Sequence, residues 1–152
     1  MSSAPLATTK HQAWSVAYSL RMTPRVRRVL ALLEGREIPV TAQQLYAELR
    51  DAGDHTGRTT VYRALHALAD AGLVHEFRGA DEIGYRACTP APHDHLVCAG
   101  CGRVQERHLT GLDESLADLK REGFLVASCR IEVYGLCPRC TRRQSTVAPR
   151  AL

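Results

Sequence analysis

Lysine is almost missing from this 152-residue chain: only Lys10 and Lys120 are lysines, and arginine supplies the rest of the twenty basic residues. Arginine's planar fork suits phosphate, although codon bias would give the same balance. Aromatic residues make up only 5%, so any core must come from Leu, Val, Ala and Ile. Two small metal-braced domains suit that shortage better than one large core. No apolar run approaches the roughly 18 residues of a membrane span. Met1 to Lys10 lacks the charged start and apolar stretch of a signal peptide, so the expected location is the cytoplasm. Composition does not suggest disorder, with 45% hydrophobic and 24% charged residues. The net charge of +4 is mildly basic and does not by itself establish a nucleic-acid partner.

Residues 1–12 read as a flexible tail. From Ala13 to Arg36 the pattern is helical, interrupted at Thr23-Pro24, where Thr23 can cap and Pro24 suits the first helical position. Thr41 opens a second helix, and Gln44 completes a capping box. A third helix runs from Thr59 to Ala71, with Val61, Leu65 and Leu68 on one face. Leu73–Arg78 and Ile83–Cys88 then read as two strands around a turn. Three helices followed by a hairpin is the order of a winged helix-turn-helix over 13–88. Thr89-Pro90-Ala91-Pro92 reads as a hinge, because proline continues neither a helix nor an inner strand. Beyond it come strands His95–Cys98 and Val104–Arg107, a helix Leu112–Arg121, and an alternating strand Leu125–Tyr134. That strand places Cys129, Ile131 and Val133 on one face. The tail 141–152 is expected to be disordered.

At about 100° per residue, Thr59, Arg63 and His66 face away from the apolar stripe of the third helix, with Tyr62 on its flank. Such side chains reach base edges and phosphates in a major groove. Arg58 at the helix start and Arg25 on the first helix are candidate phosphate contacts. For an isolated helix, a plain solvated face is the better reading. The helix order, the wing and the basic patch together favour DNA binding.

Six cysteines in a reducing compartment favour metal over disulfides. Cys98-Ala99-Gly100-Cys101 and Cys137-Pro138-Arg139-Cys140 are two C-x-x-C knuckles, the donor set of a closed structural zinc; a redox pair or disulfides are the alternatives. A second set surrounds the hinge: Cys88, His93 and His95, with His75 on the partner strand of the wing. One sulfur and three imidazoles suit zinc and also accept nickel, cobalt or ferrous iron. Glu76 and Asp81 compete with His75 for the fourth place. Asp94, Asp113 and Cys129 form a conceivable accessory site, although Cys129 fits a core position better. A zinc-dependent enzyme, with Glu76 as general base, is a rival in which an open metal position imitates a catalytic one. No substrate-shaping motif supports it, and it leaves the three-helix half unexplained.

Thr60-Val61-Tyr62-Arg63-Ala64-Leu65 with Ala71-Gly72-Leu73-Val74, His93-Asp94-His95-Leu96-Val97-Cys98-Ala99-Gly100-Cys101-Gly102, and Ile131-Glu132-Val133-Tyr134-Gly135-Leu136-Cys137-Pro138-Arg139-Cys140 resemble the signatures of the ferric uptake regulator family. The resemblance runs from about Leu20 to Cys140. Cys88 ahead of His-x-His is most similar to the zinc uptake regulator branch. The implied fold class is α+β: a winged helix-turn-helix, then a small α/β dimerisation domain over 93–140 holding a structural zinc. The resemblance also implies a homodimeric repressor that binds palindromic operator DNA when loaded with zinc and controls metal uptake genes. It implies no membrane and no small-molecule substrate. The alternative is a regulator of the same family that senses another divalent metal: nickel, iron or manganese. By position, the sensing residues are His75, Cys88, His93 and His95, and the structural ones Cys98, Cys101, Cys137 and Cys140.

Overall fold

A computed structural model describes residues 20–79, 82–89, 93–126 and 129–145. Its first lobe begins with α1 (Pro24–Leu33). The Thr23 hydroxyl accepts the Val26 N–H at 3.3 Å, and Pro24 takes the first turn, where its missing N–H has no intrahelical acceptor to lose. Within the helical pattern expected over Ala13–Arg36, the interruption at Thr23-Pro24 is where α1 starts, and the helix stops at Leu33, just short of Gly35. Residues 20–23 are not helical, Glu34 is extended, and Gly35 turns away at φ 73°. The part of that expectation before Leu20 lies outside the described residues.

A two-residue strand, β1 (Val40–Thr41), leads into α2 (Ala42–Asp51). The capping box forms: Thr41 Oγ1 accepts the Gln44 N–H at 3.2 Å, and Gln44 Oε1 accepts the Thr41 N–H at 2.8 Å. The third helix, α3 (Arg58–Asp70), is followed by β2 (Val74–Arg78) and β3 (Ile83–Ala87). These strands form an antiparallel sheet in the order β1-β3-β2. No periodicity announces β1, because two residues carry none. Its pairing needs Gly84, where a Cβ would lie 2.7 Å from that of Pro39.

One apolar core holds this lobe. Val29 and Leu33 of α1, Leu45 and Leu49 of α2, and Val61, Leu65 and Leu68 of α3 pack with Val74 and Tyr85 from the wing. Each fully buried aliphatic side chain contributes about 1.5–3 kcal/mol. The core is therefore mainly aliphatic, with Tyr85 as an aromatic member. The result is a winged helix with the outer face of α3 in solvent.

The second lobe contains β4 (Asp94–Cys98), β5 (Val104–Arg107), α4 (Leu112–Arg121), β6 (Glu132–Gly135) and α5 (Pro138–Ser145). The sheet order is β5-β4-β6, with β4 antiparallel to β5 and parallel to β6. Together the lobes give the expected α+β class. Of the assigned hinge, 89–92, only Thr89 lies among the described residues.

Two expectations need correction here. Among the described residues, the strand expected over Leu125–Tyr134 forms only at Glu132–Gly135; residues 127 and 128 lie outside them. β4 starts at Asp94, and among the described residues the ladder begins where the His95 N–H meets the Ile131 carbonyl at 3.0 Å. Phe124 and Leu125 are exposed instead. The tail expected to be disordered from 141 continues as α5 through Ser145. Its polar sequence carries no apolar stripe to reveal it. Pro138 starts the helix, and the Cys137 carbonyl accepts the Thr141 N–H at 2.9 Å. Residues 146–152 lie outside the described residues.

Candidate metal centres

The wing hairpin and the start of β4 converge on one point. His75 lies on β2 opposite Arg86 of β3, and Cys88 follows β3 with its N–H on the Leu73 carbonyl at 3.2 Å. His93 and His95 arrive two residues apart, with His95 fully buried. His95 Nε2 lies 3.1 Å from His75 Nδ1, 3.0 Å from His93 Nε2 and 3.5 Å from Cys88 Sγ. An imidazole nitrogen has one in-plane site, so it can make at most one of these contacts as a good hydrogen bond. Four donor atoms within 4.8 Å of one another are instead the arrangement that a cation satisfies. Among the described residues, His95 Nδ1 is buried with no hydrogen-bond partner, and the ring packs edge-on to Phe77.

Protonation states fit the same reading. Burial, aided by the neighbouring imidazoles, brings His75 and His95 down to about 4. Both are therefore neutral near pH 7 and have free lone pairs. Burial pushes the Cys88 thiol up to about 11. A bound cation would have to displace that proton. The rival Glu76 side chain points elsewhere, 3.9 Å from His66 Nδ1, and Asp81 lies outside the described residues.

Two flanking residues carry no sequence signal. Arg86 donates to Cys88 Sγ at 3.2 Å and to Glu106 Oε1 at 2.8 Å. Burial works to raise the Glu106 carboxyl, but hydrogen bonds from Thr89 and Arg86 bring it down to about 2. One residue lies on β3 and the other on β5, and only the tertiary structure brings them together.

The two knuckles also converge. Cys98, Cys101, Cys137 and Cys140 place their sulfurs within 4.8 Å of one another. The Cys137 N–H donates to Cys98 Sγ at 3.2 Å, and Cys101 and Cys137 sulfurs are 3.8 Å apart, too far for a disulfide. Gly100 allows this fold-over, since a Cβ there would meet Cys140 Sγ at 3.1 Å. The Cys137 N–H draws the Cys98 thiol down to about 6, whereas the Cys137 sulfur holds Cys140 up at about 12. Four thiols so close cannot all ionise without a cation.

The accessory set does not assemble. Among the described residues, Asp94, Asp113 and Cys129 form no donor group. Asp94 is buried with Oδ2 accepting the Leu109 N–H at 2.9 Å, and Cys129 is half-buried rather than a core residue.

On α3, Val61, Ala64, Leu65 and Leu68 face inward, while Thr59, Tyr62, Arg63 and His66 are exposed. Arg25 is exposed on α1. Arg58 is exposed too, but its guanidinium stacks 5.4 Å from the centre of the Tyr46 ring. That contact fixes its direction, which sequence alone did not give.

The family model of the ferric uptake regulator family matches residues 17–134, spanning both lobes. The chain belongs to that family. It is thus a regulator of the metal-responsive kind, and no observation points to an enzyme. The chain is 36% identical over 126 residues to the zinc uptake regulation protein of Mycobacterium tuberculosis, covering 82% of this chain and 97% of that relative. It is 34% identical over 124 residues to the ferric uptake regulation protein of Legionella pneumophila, covering 77% and 88%. Among solved structures, a zinc uptake regulator complexed with zinc and DNA is similar at 28% identity and TM-score 0.69, covering 85% of this chain and 89% of that one. Among the described residues, no helix is long and apolar enough to cross a membrane.

Proposed function

We propose that this regulator is a zinc-responsive repressor that binds palindromic operator DNA as a homodimer when loaded and controls metal uptake genes. The observation that carries this reading is the convergence of His75, Cys88, His93 and His95 from both sides of the hinge. One cysteine sulfur with three imidazoles matches zinc and disfavours manganese, which prefers oxygen donors. The likeness to the zinc-and-DNA-bound regulator supports the same choice. A ferric relative of similar identity keeps iron as the rival.

The domain assignment follows: 13–88 reads DNA, 89–92 is the hinge and 93–140 dimerises. Zinc at the hinge would cross-link the wing to β4 and limit the angles available to the DNA-binding lobe. Cys98, Cys101, Cys137 and Cys140 would hold a second, structural zinc that contributes folding energy to the C-terminal lobe. Thr59, Tyr62, Arg63 and His66 would contact bases and nearby phosphates, with Arg25 and Arg58 on the phosphate backbone. Phe124, Leu125, Val133, Tyr134 and Leu136 leave apolar surface exposed on the second lobe, and that surface fits a second copy.

A metal-competition gel shift tests the proposal. The protein, stripped at the hinge site, is titrated with zinc, nickel, iron and manganese against operator DNA. Zinc should restore binding at the lowest free concentration, and His93→Ala should abolish that response while leaving the thermal melt of the stripped protein unchanged. Restoration by iron at lower free concentration than zinc would reject the assignment.

A further inference from the structure

Protein groups, as well as the four hinge donors, tie the lobes together. Arg86 of β3 spreads its guanidinium over three acceptors: the Arg36 carbonyl at 3.0 Å, Cys88 Sγ at 3.2 Å and Glu106 Oε1 at 2.8 Å. Glu106 belongs to β5, in the other lobe. It also accepts the Thr89 N–H at 3.3 Å and the Thr89 hydroxyl. One carboxylate of the second lobe therefore holds the wing and the first residue after it. A separate contact crosses nearby: the Glu37 carbonyl accepts the Val104 N–H at 2.8 Å, and the Glu37 carboxylate lies 3.0 Å from Arg103.

The Arg86–Glu106 pair is not a surface pair. The side chains are 14% and 22% exposed, and both border a cavity of about 390 Å³ between the lobes. Charge-assisted bonds between partly buried groups are stronger than those between exposed ones. Separating the lobes would break the Arg86–Glu106 bond, since Glu106 moves with β5 and Arg86 with β3. Apart from the Arg86 bond to Cys88 Sγ, which stays within the first lobe, none of these bonds involves a metal ligand.

We propose that Arg86 and Glu106 form a metal-independent clasp across the hinge, which keeps a fraction of the unloaded protein with its lobes docked and so sets the zinc concentration at which the regulator responds. This rests on the zinc-sensing reading above. A ligand's apparent affinity falls with the fraction of protein in the competent arrangement. A weaker clasp therefore demands more zinc, and saturating zinc still restores the docked arrangement.

The test is Glu106→Gln, with Thr89→Val as a milder second variant should the first fail to fold. Each is compared with the unaltered dimer, its four-cysteine site filled and its hinge site emptied by chelator. Small-angle scattering should give a larger radius of gyration for both variants without hinge zinc and the same radius at saturation. The zinc midpoint for operator binding should rise about three- to tenfold in Glu106→Gln, with operator affinity at saturating zinc unchanged. Identical scattering and identical midpoints would overturn the clasp. So would a loss of bound zinc at saturation, which would place Glu106 in the metal centre itself. If the unaltered protein binds operator regardless of zinc, the sensing reading fails, yet the scattering comparison still decides the clasp.

Discussion

Burial sets the acid sensitivity of the hinge at the level of single residues. His75 and His95 sit near 4 when folded, against an ordinary 6.5. As pH falls, the unfolded chain binds protons first, so stability is lost progressively from 6.5 down to about 4. Glu106 is depressed from 4.5 to about 2, and its contribution is lost between those values. Both effects have the same sign. The melting temperature of the protein without hinge metal should fall steadily once pH drops below 6.5, and Glu106→Gln should flatten the part below 4.5. A melting temperature constant from pH 7 to 4 would contradict these assignments. In the core, Leu65 is 0% exposed at the centre of the helical cluster. Leu65→Ala should destabilise the first lobe by about 2–5 kcal/mol, measurable by urea unfolding. The four knuckle cysteines and the hinge donors were legible at this scale, because metal chemistry restricts residue type and spacing. Arg86 and Glu106 were not, since a charged residue on a strand has no sequence signature until its partner is known.

At the scale of elements, local chemistry predicts boundaries where caps exist. Thr23-Pro24 and the Thr41–Gln44 box set the starts of α1 and α2 as expected. Thr41→Ala should cost about 1 kcal/mol, read as a lower urea midpoint with an unchanged slope. Where an element depends on a distant strand, periodicity misleads. The alternation from Leu125 onward is real in the sequence, but among the described residues β4 offers rungs only from His95, and the strand there is Glu132–Gly135. The polar helix α5 shows the opposite error, a regular element with no apolar stripe. The exposed face of α3 gives the element-scale prediction for function. Arg63→Ala should weaken operator binding by about 1–3 kcal/mol without moving the zinc midpoint. A shifted midpoint with unchanged saturated affinity would place Arg63 outside the reading face.

For the whole molecule, the two donor clusters have different consequences. The four-cysteine cluster lies within the second lobe, joining the ends of β4 and β6 with α5. Cys137→Ser should therefore lower the melting temperature and disperse the dimer in sedimentation, because structural zinc contributes folding energy directly. The hinge cluster joins two lobes that each have their own sheet. Cys88→Ser should leave the dimer intact and remove only the metal response. The central claim is that zinc at the hinge changes DNA affinity by fixing how the two reading lobes of a dimer are spaced for successive major grooves. Its most direct test is operator affinity at one salt concentration, with the four-cysteine site filled throughout and the hinge site either empty or filled with zinc. The account predicts at least about tenfold tighter binding when it is filled, a difference of about 1.4 kcal/mol. Equal affinity in the two states would contradict it.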